Sequence, residues 1–580
     1  MIRHTSDRRF PWLLAIVFSA AMLVPAKLPL SAQGEVRRER GDRGMVVSDS
    51  VHASRVGRDV IAKGGNAVDA AVATAFALAV TWPEAGNIGG GGFMMIRPAN
   101  GQDPVCVDYR ERAPMAAEVD TFVKGESRHT RKVVGVPGTV RGLELAHQTY
   151  GRLAWRDLVM PAARLASEGF SVDGFLARST NRVLDATRGN AAFAELHRVY
   201  GKPDGMPWKS GDVMTLPDLA RTLTLIANEG AGAFYEGAVA DLLLRETAKG
   251  GGLIRKKDLV AYEAKIREPI VGTFRDYTII GAPPPSSGGI ALVQGLNMVE
   301  AIDLPKDKSL PQTIHLLTEI SRRFFLDRAR YLGDPDFVKI PEYLTTKQYA
   351  RQLIADIDGE HATDSAALAP DIKLAPESDD TTHFSVIDGD GMVVSNTYTI
   401  EASWGSRIVV PGAGFLLNNE MGDFNWTKGY TDRSGYIGSD ANLVEPGKRM
   451  LSSQCPVIVT KNNQPVLVTG SPGGRTILNT VFNVVLNVIH FDMPATLAVK
   501  EKRYHHQWMP DVLYLEDTDE MPFEAMKSQL EAYGHRISNR VSQGSAHTIW
   551  VDPVTGHVYG IADYRRGGRA VGLSSAATAR

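Results

Sequence analysis

From about residue 46 to 380, the hydrophobic pattern alternates between helical and strand-like segments. The stretch from Asn66 to Val80 is rich in Ala and apolar on nearly every side, which predicts a buried helix. Further along, the glycines Gly89 to Gly92 lead into the strand-like run Phe93 to Ile96. A phosphate-binding loop would continue into Gly-Lys-Ser or Gly-Lys-Thr, and this one does not. We therefore expect these glycines to pack closely against another backbone segment.

The pattern changes to strands after an acidic stretch. Residues 355–380 are polar and acidic, which predicts an exposed, mobile segment. Alternating residues from Thr382 to Ile387 and from Met392 to Ile400 then predict two strands joined as a hairpin. A further strand, Pro465 to Thr469, and a helix, Thr476 to His490, are predicted near the end of the chain.

The register of this hairpin decides which residues lie side by side. If Gly389-Asp390-Gly391 forms a three-residue loop, Thr381 lies opposite Thr399. If the loop has two residues, Thr381 pairs with Tyr398 and Thr399 faces the other side of the sheet. The sequence permits both registers.

Length and charge limit the class of protein. The chain has 580 residues, enough for two or more domains, with 43% hydrophobic and 22% charged residues. Its net charge of -2 argues against a nucleic-acid partner, which would require a clustered basic surface.

The N-terminus has the pattern of an export signal. Arg3, Arg8 and Arg9 precede the apolar run Trp12 to Val24, and small residues follow up to Ala32. We expect a signal peptide over residues 1–32 and an exported mature protein, periplasmic or secreted, with no stable membrane span. A retained anchor is the alternative, although the apolar run is short for a bilayer.

Cysteine and histidine usage gives no sign of a disulfide scaffold or a metal centre. Cys106 and Cys455 each lie in an apolar, strand-like setting, which favours buried free thiols. No cysteine–histidine spacing resembles a zinc site, and we expect neither a metal nor a cofactor.

Thr381 is the first candidate for chemistry. A Thr hydroxyl is a poor nucleophile, but a chain cut just before the Thr supplies its own α-amine as the adjacent base. Such an amine ordinarily titrates at about 7.7–8.0, so a neutral fraction exists at physiological pH. From this stretch alone, a strand Thr on a solvent face is the more common explanation.

A series of longer motifs changes that balance. In chain order they are Gly65–Ala71, Gly86–Phe93, Asp108–Glu111, Pro283–Gly289, Thr381–Ser385, Leu416–Met421, Leu451–Ser453 and Gly470–Gly474. Together they resemble the γ-glutamyltransferase family (γ-glutamyl transpeptidase, also called glutathione hydrolase) from about Gly44 to Gly568.

The resemblance implies an α+β fold of the N-terminal nucleophile hydrolase type. This is a four-layer αββα sandwich built from two subunits cut from one precursor. Self-cleavage between Asp380 and Thr381 would give a large subunit, 33–380, and a small subunit, 381–580, that form a heterodimer.

The same resemblance assigns the catalytic residues. Thr381 would be the nucleophile, with its α-amine as the base, and the Thr399 hydroxyl would support both. Gly473 and Gly474 match the positions whose backbone N–H groups form the oxyanion hole, where the lack of a side chain leaves the approach open.

A γ-glutamyl substrate carries both an α-carboxylate and an α-ammonium, so recognition requires both signs of charge. Arg110 can fork onto the carboxylate, with hydroxyls of the serine pair beside it, and Glu420 and Asp423 can bind the ammonium. Glu401 stands where many relatives have Asn. The substrate-binding set implied by the resemblance is Arg110, Thr399, Glu401, Glu420, Asp423, Ser452, Ser453 and Gly474.

The implied activity is exported γ-glutamyl transfer and glutathione hydrolysis. A γ-glutamyl ester on Thr381 would pass to water or to an amino acid or dipeptide acceptor. Residues 425–440, with Trp426, Tyr430 and Tyr436, would form a lid that affects the ratio of the two outcomes.

Two alternatives remain. One is a cephalosporin (glutaryl) acylase on the same scaffold. Arg110 and the acidic pair argue against it, because a glutaryl side chain lacks the ammonium. The other is an exported binding protein that never matures, against which the intact set of Thr381, Thr399 and the glycine pair argues.

Overall fold

Two seven-stranded sheets form the centre of the fold. The computed structural model describes residues 37–99, 101–123, 125–369, 381–429, 439–516, 523–540 and 542–574. The strands of this part of the chain are β1 (Arg37–Arg40), β2 (Gly44–Ser48), β3 (Gly91–Arg97), β4 (Val105–Asp108), β5 (Phe170–Ser171), β6 (Val213–Met214), β7 (Lys265–Arg267), β8 (Ile270–Phe274), β9 (Tyr277–Gly281), β10 (Thr382–Asp388), β11 (Val393–Thr399), β12 (Val457–Lys461), β13 (Gln464–Thr469), β14 (Tyr504–His505), β15 (Leu513–Glu516), β16 (Ile537–Arg540), β17 (Thr548–Val551), β18 (Val558–Ala562) and β19 (Arg569–Leu573).

Helices cover the outer faces of both sheets. They are α1 (Val51–Ala62), α2 (Ala67–Thr81), α3 (Thr139–Tyr150), α4 (Trp155–Glu168), α5 (Gly174–Thr187), α6 (Ala194–Tyr200), α7 (Pro217–Glu229), α8 (Gly232–Tyr235), α9 (Ala238–Thr247), α10 (Lys256–Val260), α11 (Gly288–Ile302), α12 (Pro311–Tyr331), α13 (Lys347–Ile354), α14 (Thr476–Ile489), α15 (Ala495–Lys500) and α16 (Phe523–Ala532).

The two sheets pack face to face through their apolar side chains. One sheet has the order β1-β18-β17-β13-β12-β9-β8 and the other β19-β2-β10-β11-β3-β4-β7, all of it antiparallel. Residues such as Val47, Phe93, Ile458 and Val468 form the layer between the sheets. Helices α1 to α5 pack on the second sheet, and α11, α12, α14 and α15 pack on the first. The four-layer αββα prediction is confirmed.

Helix α2 and the glycine run after it agree with the sequence patterns. The Asn66 side chain caps the helix by accepting from the Asp69 N–H at 3.0 Å, and every residue of α2 is buried. A Cβ at Gly90 would overlap the carbonyl oxygen of Thr399, and one at Gly91 would lie 2.5 Å from that of Tyr109. The glycines therefore allow the close approach of backbones that the sequence predicted.

The β10–β11 hairpin has the register of the three-residue loop. Thr382 pairs with Tyr398, and the Asp388 N–H donates to the carbonyl of Met392 at 3.1 Å. Gly391 has a φ of +90°, a conformation that favours glycine. Continued by one pair, this register sets Thr381 opposite Thr399.

Other expectations have mixed outcomes. Both cysteines are buried free thiols, as predicted. The predicted exposed, mobile segment is wrong for part of 355–369, because Ser365 and Ala369 are buried and Thr363 bonds to the Glu319 carboxylate on α12. The rest of that segment, 370–380, and the predicted signal peptide lie outside the described residues. Within the part of the chain that the structure describes, no helix has the length and apolar character needed to cross a membrane.

Candidate active site

Thr381 and Thr399 meet where the β10–β11 hairpin ends. Thr381 immediately precedes β10, Thr399 is the last residue of β11, and their side-chain oxygens lie 3.4 Å apart. This distance is longer than a usual hydroxyl–hydroxyl hydrogen bond, so the two groups are in contact without a tight bond. Both residues are buried, and the Thr399 hydroxyl also accepts from the Glu401 N–H at 2.8 Å.

Gly473 and Gly474 form the turn between β13 and α14. Their φ angles are +127° and +54°, which a residue with a side chain would adopt only with strain. The turn leads into α14, whose first two N–H groups, those of Thr476 and Ile477, donate to the carbonyls of Gly473 and Gly474 at 3.0 and 3.1 Å. The helix dipole places a partial positive charge at this end of α14. Gly474 lines the same cleft as Thr381 and Thr399.

Most of the site residues predicted from the sequence line one cleft. Only Gly473 of that set is not on its wall. The lining residues are Arg110, Arg328, Thr381, Thr399, Glu401, Glu420, Asp423, Ser452, Ser453, Gln454, Gly474, Arg475 and Ile477. Arg328, Gln454, Arg475 and Ile477 are additions that the sequence analysis missed.

Arg110 is already paired inside the cleft. Its guanidinium is fully buried and forks onto two carboxylates, with one terminal nitrogen on Glu420 and the other on Asp423. Its Nε and Nη2 also donate to the carbonyls of Met450 and Leu451, each at 3.3 Å. The residues predicted to bind the two charges of a substrate thus bind each other in this structure.

Glu111 is a third carboxylate at this arginine. It lies 3.4 Å from Arg110 Nη1, and its side chain is fully buried. Burial raises the pKa of Glu111 to about 7, although the Arg110 charge opposes the shift. Burial likewise raises the pKa of Glu420, again against the effect of Arg110. Burial alone would lower the pKa of Arg110, but Glu420, Asp423 and Glu111 outweigh it and raise that pKa.

A shared proton fits this arrangement. Glu111 Oε1 and Glu420 Oε2 are buried, and no described residue donates a hydrogen bond to either oxygen. Three carboxylates surround one guanidinium, so a proton held by Glu111 or Glu420 brings the cluster closer to neutrality. The Asp108–Glu111 motif contained Glu111, but nothing in the spacing showed that its carboxylate contacts the Arg110 guanidinium.

Glu401 has its own cationic partner. Its Oε1 accepts from Arg128 Nη1 at 2.8 Å, and its Oε2 accepts from the side-chain amide of Asn419. The Arg128 guanidinium also lies 5.7 Å from the ring centroid of Trp426. The Glu401 carboxylate is therefore balanced by Arg128, a residue 273 positions away in sequence.

The predicted lid is described only at its two ends. Trp426 is buried, stacks on Phe122 with ring centroids 5.0 Å apart, and donates from Nε1 to the Met421 carbonyl at 2.7 Å. It is therefore a packed residue beside the cleft. Tyr430 and Tyr436 lie outside the described residues, so the lid stays a prediction.

Arg328 connects the serine pair to α12 and α11. Its Nη2 donates to the Ser453 hydroxyl at 2.9 Å and its Nε to the Ser287 hydroxyl at 3.1 Å. Ser287 in turn donates to the Ser452 carbonyl at 2.8 Å, so it does not cap α11 with its side chain. The only sequence signal for Arg328 is an arginine in a helix whose pattern predicts close packing, because a buried arginine is rare without a partner.

Two histidines and a glutamate outside the cleft have side chains of the kind that bind metal ions. Among the described residues, ligand atoms of His315, Glu319 and His535 lie within 4.8 Å of one another. His315 Nδ1 and His535 Nε2 hydrogen-bond at 2.9 Å, and the Glu319 carboxylate accepts from two arginines and from Thr363. These hydrogen bonds describe a network that joins α12 to the segment after α16, with its donors and acceptors already matched.

The chain is similar to known proteins over nearly its whole length. The model of a family described as Gamma-glutamyltranspeptidase matches residues 53–573. The glutathione hydrolase proenzyme of Escherichia coli (strain K12) is 42% identical over 561 residues, which cover 94% of this chain and 95% of that protein.

Solved structures give the same picture. The cephalosporin acylase of Bacillus halodurans matches with a TM-score of 0.83 at 26% identity, over 96% of this chain and 100% of that one. A chain of the gamma-glutamyltranspeptidase of Pseudomonas nitroreducens matches with a TM-score of 0.51 at 40% identity, over 54% of this chain and 94% of that one.

Proposed function

Because this chain belongs to the gamma-glutamyltranspeptidase family, we propose that it is a γ-glutamyltransferase and glutathione hydrolase made as a precursor. The observation that carries the proposal is the contact of the Thr381 and Thr399 hydroxyls at 3.4 Å, in a cleft lined by Gly474, Arg110 and Glu420. A relative called a proenzyme, 42% identical over 94% of the chain, supports it.

Maturation would cut the chain between Asp380 and Thr381. Asp380 lies outside the described residues, whereas Thr381 immediately precedes β10. The products would be a large subunit, 33–380, and a small subunit, 381–580. The Pseudomonas nitroreducens chain is matched over 94% of itself by 54% of this chain, which supports two polypeptides.

Catalysis would begin at the new N-terminus. The Thr381 α-amine takes the proton of the Thr381 hydroxyl, and the oxygen attacks the γ-carbonyl carbon of the substrate. Backbone N–H groups of Gly473 and Gly474 stabilise the oxyanion, and the leaving amine departs with the proton from the α-ammonium. Water or the amine of an acceptor then attacks the ester and restores Thr381.

A bound substrate would insert its two charged groups between Arg110 and the carboxylates of Glu420 and Asp423. The substrate α-carboxylate approaches Arg110, while its α-ammonium approaches Glu420 and Asp423. Because the substrate adds one charge of each sign, the cluster keeps its balance while its direct ion pairs are exchanged for pairs with the substrate. Glutathione and other γ-glutamyl compounds meet this requirement, and amino acids or dipeptides would serve as acceptors.

The acylase alternative deserves a direct comparison, since a cephalosporin acylase matches with a TM-score of 0.83. A glutaryl group would leave Glu420 and Asp423 without an ammonium partner in a buried setting, which is costly. Turnover of a γ-glutamyl anilide well above that of a glutaryl anilide would support our proposal. The reverse ranking would favour the acylase.

The decisive experiment is a denaturing gel of purified protein with N-terminal sequencing. We expect two bands, the smaller beginning Thr-Thr-His-Phe and the larger beginning near residue 33 if residues 1–32 are an export signal. Thr381→Ala should give one uncut band and no turnover of the γ-glutamyl anilide. Normal turnover by Thr381→Ala would refute the mechanism, and a persistent single band for the wild type would favour a non-maturing binding protein.

A further inference from the structure

The start of strand β10 is held differently on its two sides. On one side, the ladder with β11 continues up to the pair Thr382 and Tyr398. On the other side, the ladder with β2 stops at the pair Ser385 and Val47, because β2 ends one residue later, at Ser48, and α1 begins at Val51. The first residues of β10 therefore lack the backbone pairing with β2 that the rest of the strand has.

A buried side-chain bridge occupies this position. The Thr382 hydroxyl donates to Asp49 Oδ2 at 2.6 Å, and His547 Nε2 donates to Asp49 Oδ1 at 2.8 Å. All three residues are fully buried. Each carboxylate oxygen thus has a donor, as a buried carboxylate requires.

His547 is itself fixed to β10. Its backbone carbonyl accepts from the Ser385 hydroxyl at 2.9 Å. The bridge therefore connects the end of β2, the start of β10 and the residue before β17, which belong to both sheets. We call Asp49, Thr382 and His547 the Asp49 clamp.

We propose that the Asp49 clamp positions the nucleophile, with Asp49 acting through Thr382 on Thr381. This inference rests on the proposed function. Once the chain is cut, Thr381 becomes a terminus, and terminal residues fray unless they are tied down. An attacking oxygen must stay within a fraction of an ångström of its productive place. The Thr381 carbonyl accepts from Arg566 Nη1 at 3.3 Å, and Thr382 is the next residue along the chain that can hold the terminus.

The clamp also joins the two products of cleavage. Asp49 would belong to the large subunit, and Thr382 and His547 to the small one. The nucleophile of the small subunit is thereby located by a carboxylate of the large subunit, so its position depends on their continued association.

The test is Thr382→Val, which removes the hydroxyl and keeps the shape. Per cleaved enzyme, we expect kcat for a γ-glutamyl anilide to fall about 10- to 100-fold. KM should stay within about 2-fold, because Arg110 and the acidic residues are untouched. Thr382→Ser, which restores the donor, should return most of the activity.

A matched control is Thr222→Val. The Thr222 hydroxyl is also buried and donates across the fold to the Ala413 carbonyl at 2.8 Å, but it is not part of the cleft. Its loss should lower the thermal unfolding midpoint and leave kcat unchanged. A purely structural Thr382 would behave like Thr222.

Asp49→Asn and the double variant Asp49→Asn/Thr382→Val complete the experiment. If the two residues act through one hydrogen bond, the effects on kcat will be far from additive. Additive effects, or a cleaved Thr382→Val with wild-type kcat, would overturn the clamp. If Thr382→Val stays uncut, cleavage of Thr382→Ser supports the clamp, and a folded but uncut Thr382→Ser contradicts it.

Failure of the clamp can be distinguished from failure of the proposed function. A wild-type protein that is cut and turns over the γ-glutamyl anilide keeps the proposed function, whatever the variants show. A wild-type protein without that turnover removes the function first, and the clamp with it.

Discussion

At the scale of single residues, the charged side chains of the cleft and its surroundings pair with one another. Arg110 is bound by Glu420 and Asp423, and Glu401 by Arg128. Buried charges are costly unless they are paired, so this arrangement keeps a polar cleft stable before substrate arrives. The same groups must then be redistributed around the substrate, which makes the geometry of the arginine decisive.

Arg110→Lys tests that geometry. A lysine keeps the charge but cannot fork onto two oxygens, so we expect KM for a γ-glutamyl donor to rise about 10- to 100-fold. Chain cleavage should be unaffected. Arg152→Lys, at an exposed ion pair with Asp390, is the control and should leave KM unchanged. An unaltered KM in Arg110→Lys would show that the bidentate contact is not used.

Glu111→Gln tests the shared proton. The pKa of Glu111 is raised to about 7 by burial, so folding favours its protonated form. The stability this gives is present below about pH 4.5 and is lost as the pH rises through 7. Glu111→Gln has no proton to lose at this position, so it does not lose this stability as the pH rises. Between pH 5 and pH 8, the free energy of unfolding of Glu111→Gln should therefore fall by about 1 to 3 kcal/mol less than that of the wild type.

Thermal or urea unfolding of both proteins at the two pH values measures this difference. Glu236→Gln, which changes an exposed carboxylate paired with Arg141, should follow the wild type. The same pH dependence in Glu111→Gln and in the wild type would exclude a proton on Glu111.

At the scale of elements, the β10–β11 hairpin brings Thr381 to Thr399. Its register depends on a loop in which Gly391 has a φ of +90°. A slip of one residue would send Thr399 to the opposite face of the sheet. The loop is remote from the cleft, yet it decides which hydroxyl faces the nucleophile.

Gly391→Ala should therefore destabilise the protein by about 1 kcal/mol, since alanine is strained at this φ. No atom lies within 4 Å of the added Cβ, so the cost is conformational and not steric. Gly359→Ala is a suitable control, because its Cβ also meets no atom and its φ is not positive. Equal thermal unfolding midpoints for the two variants would contradict this account.

The sequence predicted those features that depend on local pattern. Helix α2 and the close packing at Gly89 to Gly92 followed from periodicity and turn chemistry, whereas the sequence left two hairpin registers open. The series of motifs also identified most of the residues that line the cleft. The sequence could not show that Arg110 binds Glu420, that Arg328 reaches Ser453 or that Asp49 reaches Thr382, because these contacts join segments more than 100 residues apart.

At the scale of the whole molecule, the proposed cleavage point does not separate two domains. One sheet combines β1, β8 and β9 from before Thr381 with β12, β13, β17 and β18 from after it. The other combines β2, β3, β4 and β7 with β10, β11 and β19. Neither piece contains all the strands of either seven-stranded sheet, and the layer between these two sheets belongs to both.

We therefore expect the two pieces to remain together after cleavage. Gel filtration of the cleaved protein should give one peak that contains both, and only a denaturant should separate them. The pieces expressed separately should not fold, because each would expose unpaired strand edges and half of the apolar layers. Separation of the pieces in native buffer would contradict this expectation.

The contact between Gly90 and Thr399 has one further consequence. A Cβ at Gly90 would overlap the Thr399 carbonyl oxygen, and the Asn87 amide donates to that same oxygen at 2.9 Å. The Thr399 backbone is therefore confined by residues that contribute no reactive atom. A sequence with the same hydroxyls and charges would therefore not be sufficient for this chemistry. It would also need a residue without a side chain at position 90, because the space beside Thr399 is as specific a requirement as the Thr399 hydroxyl.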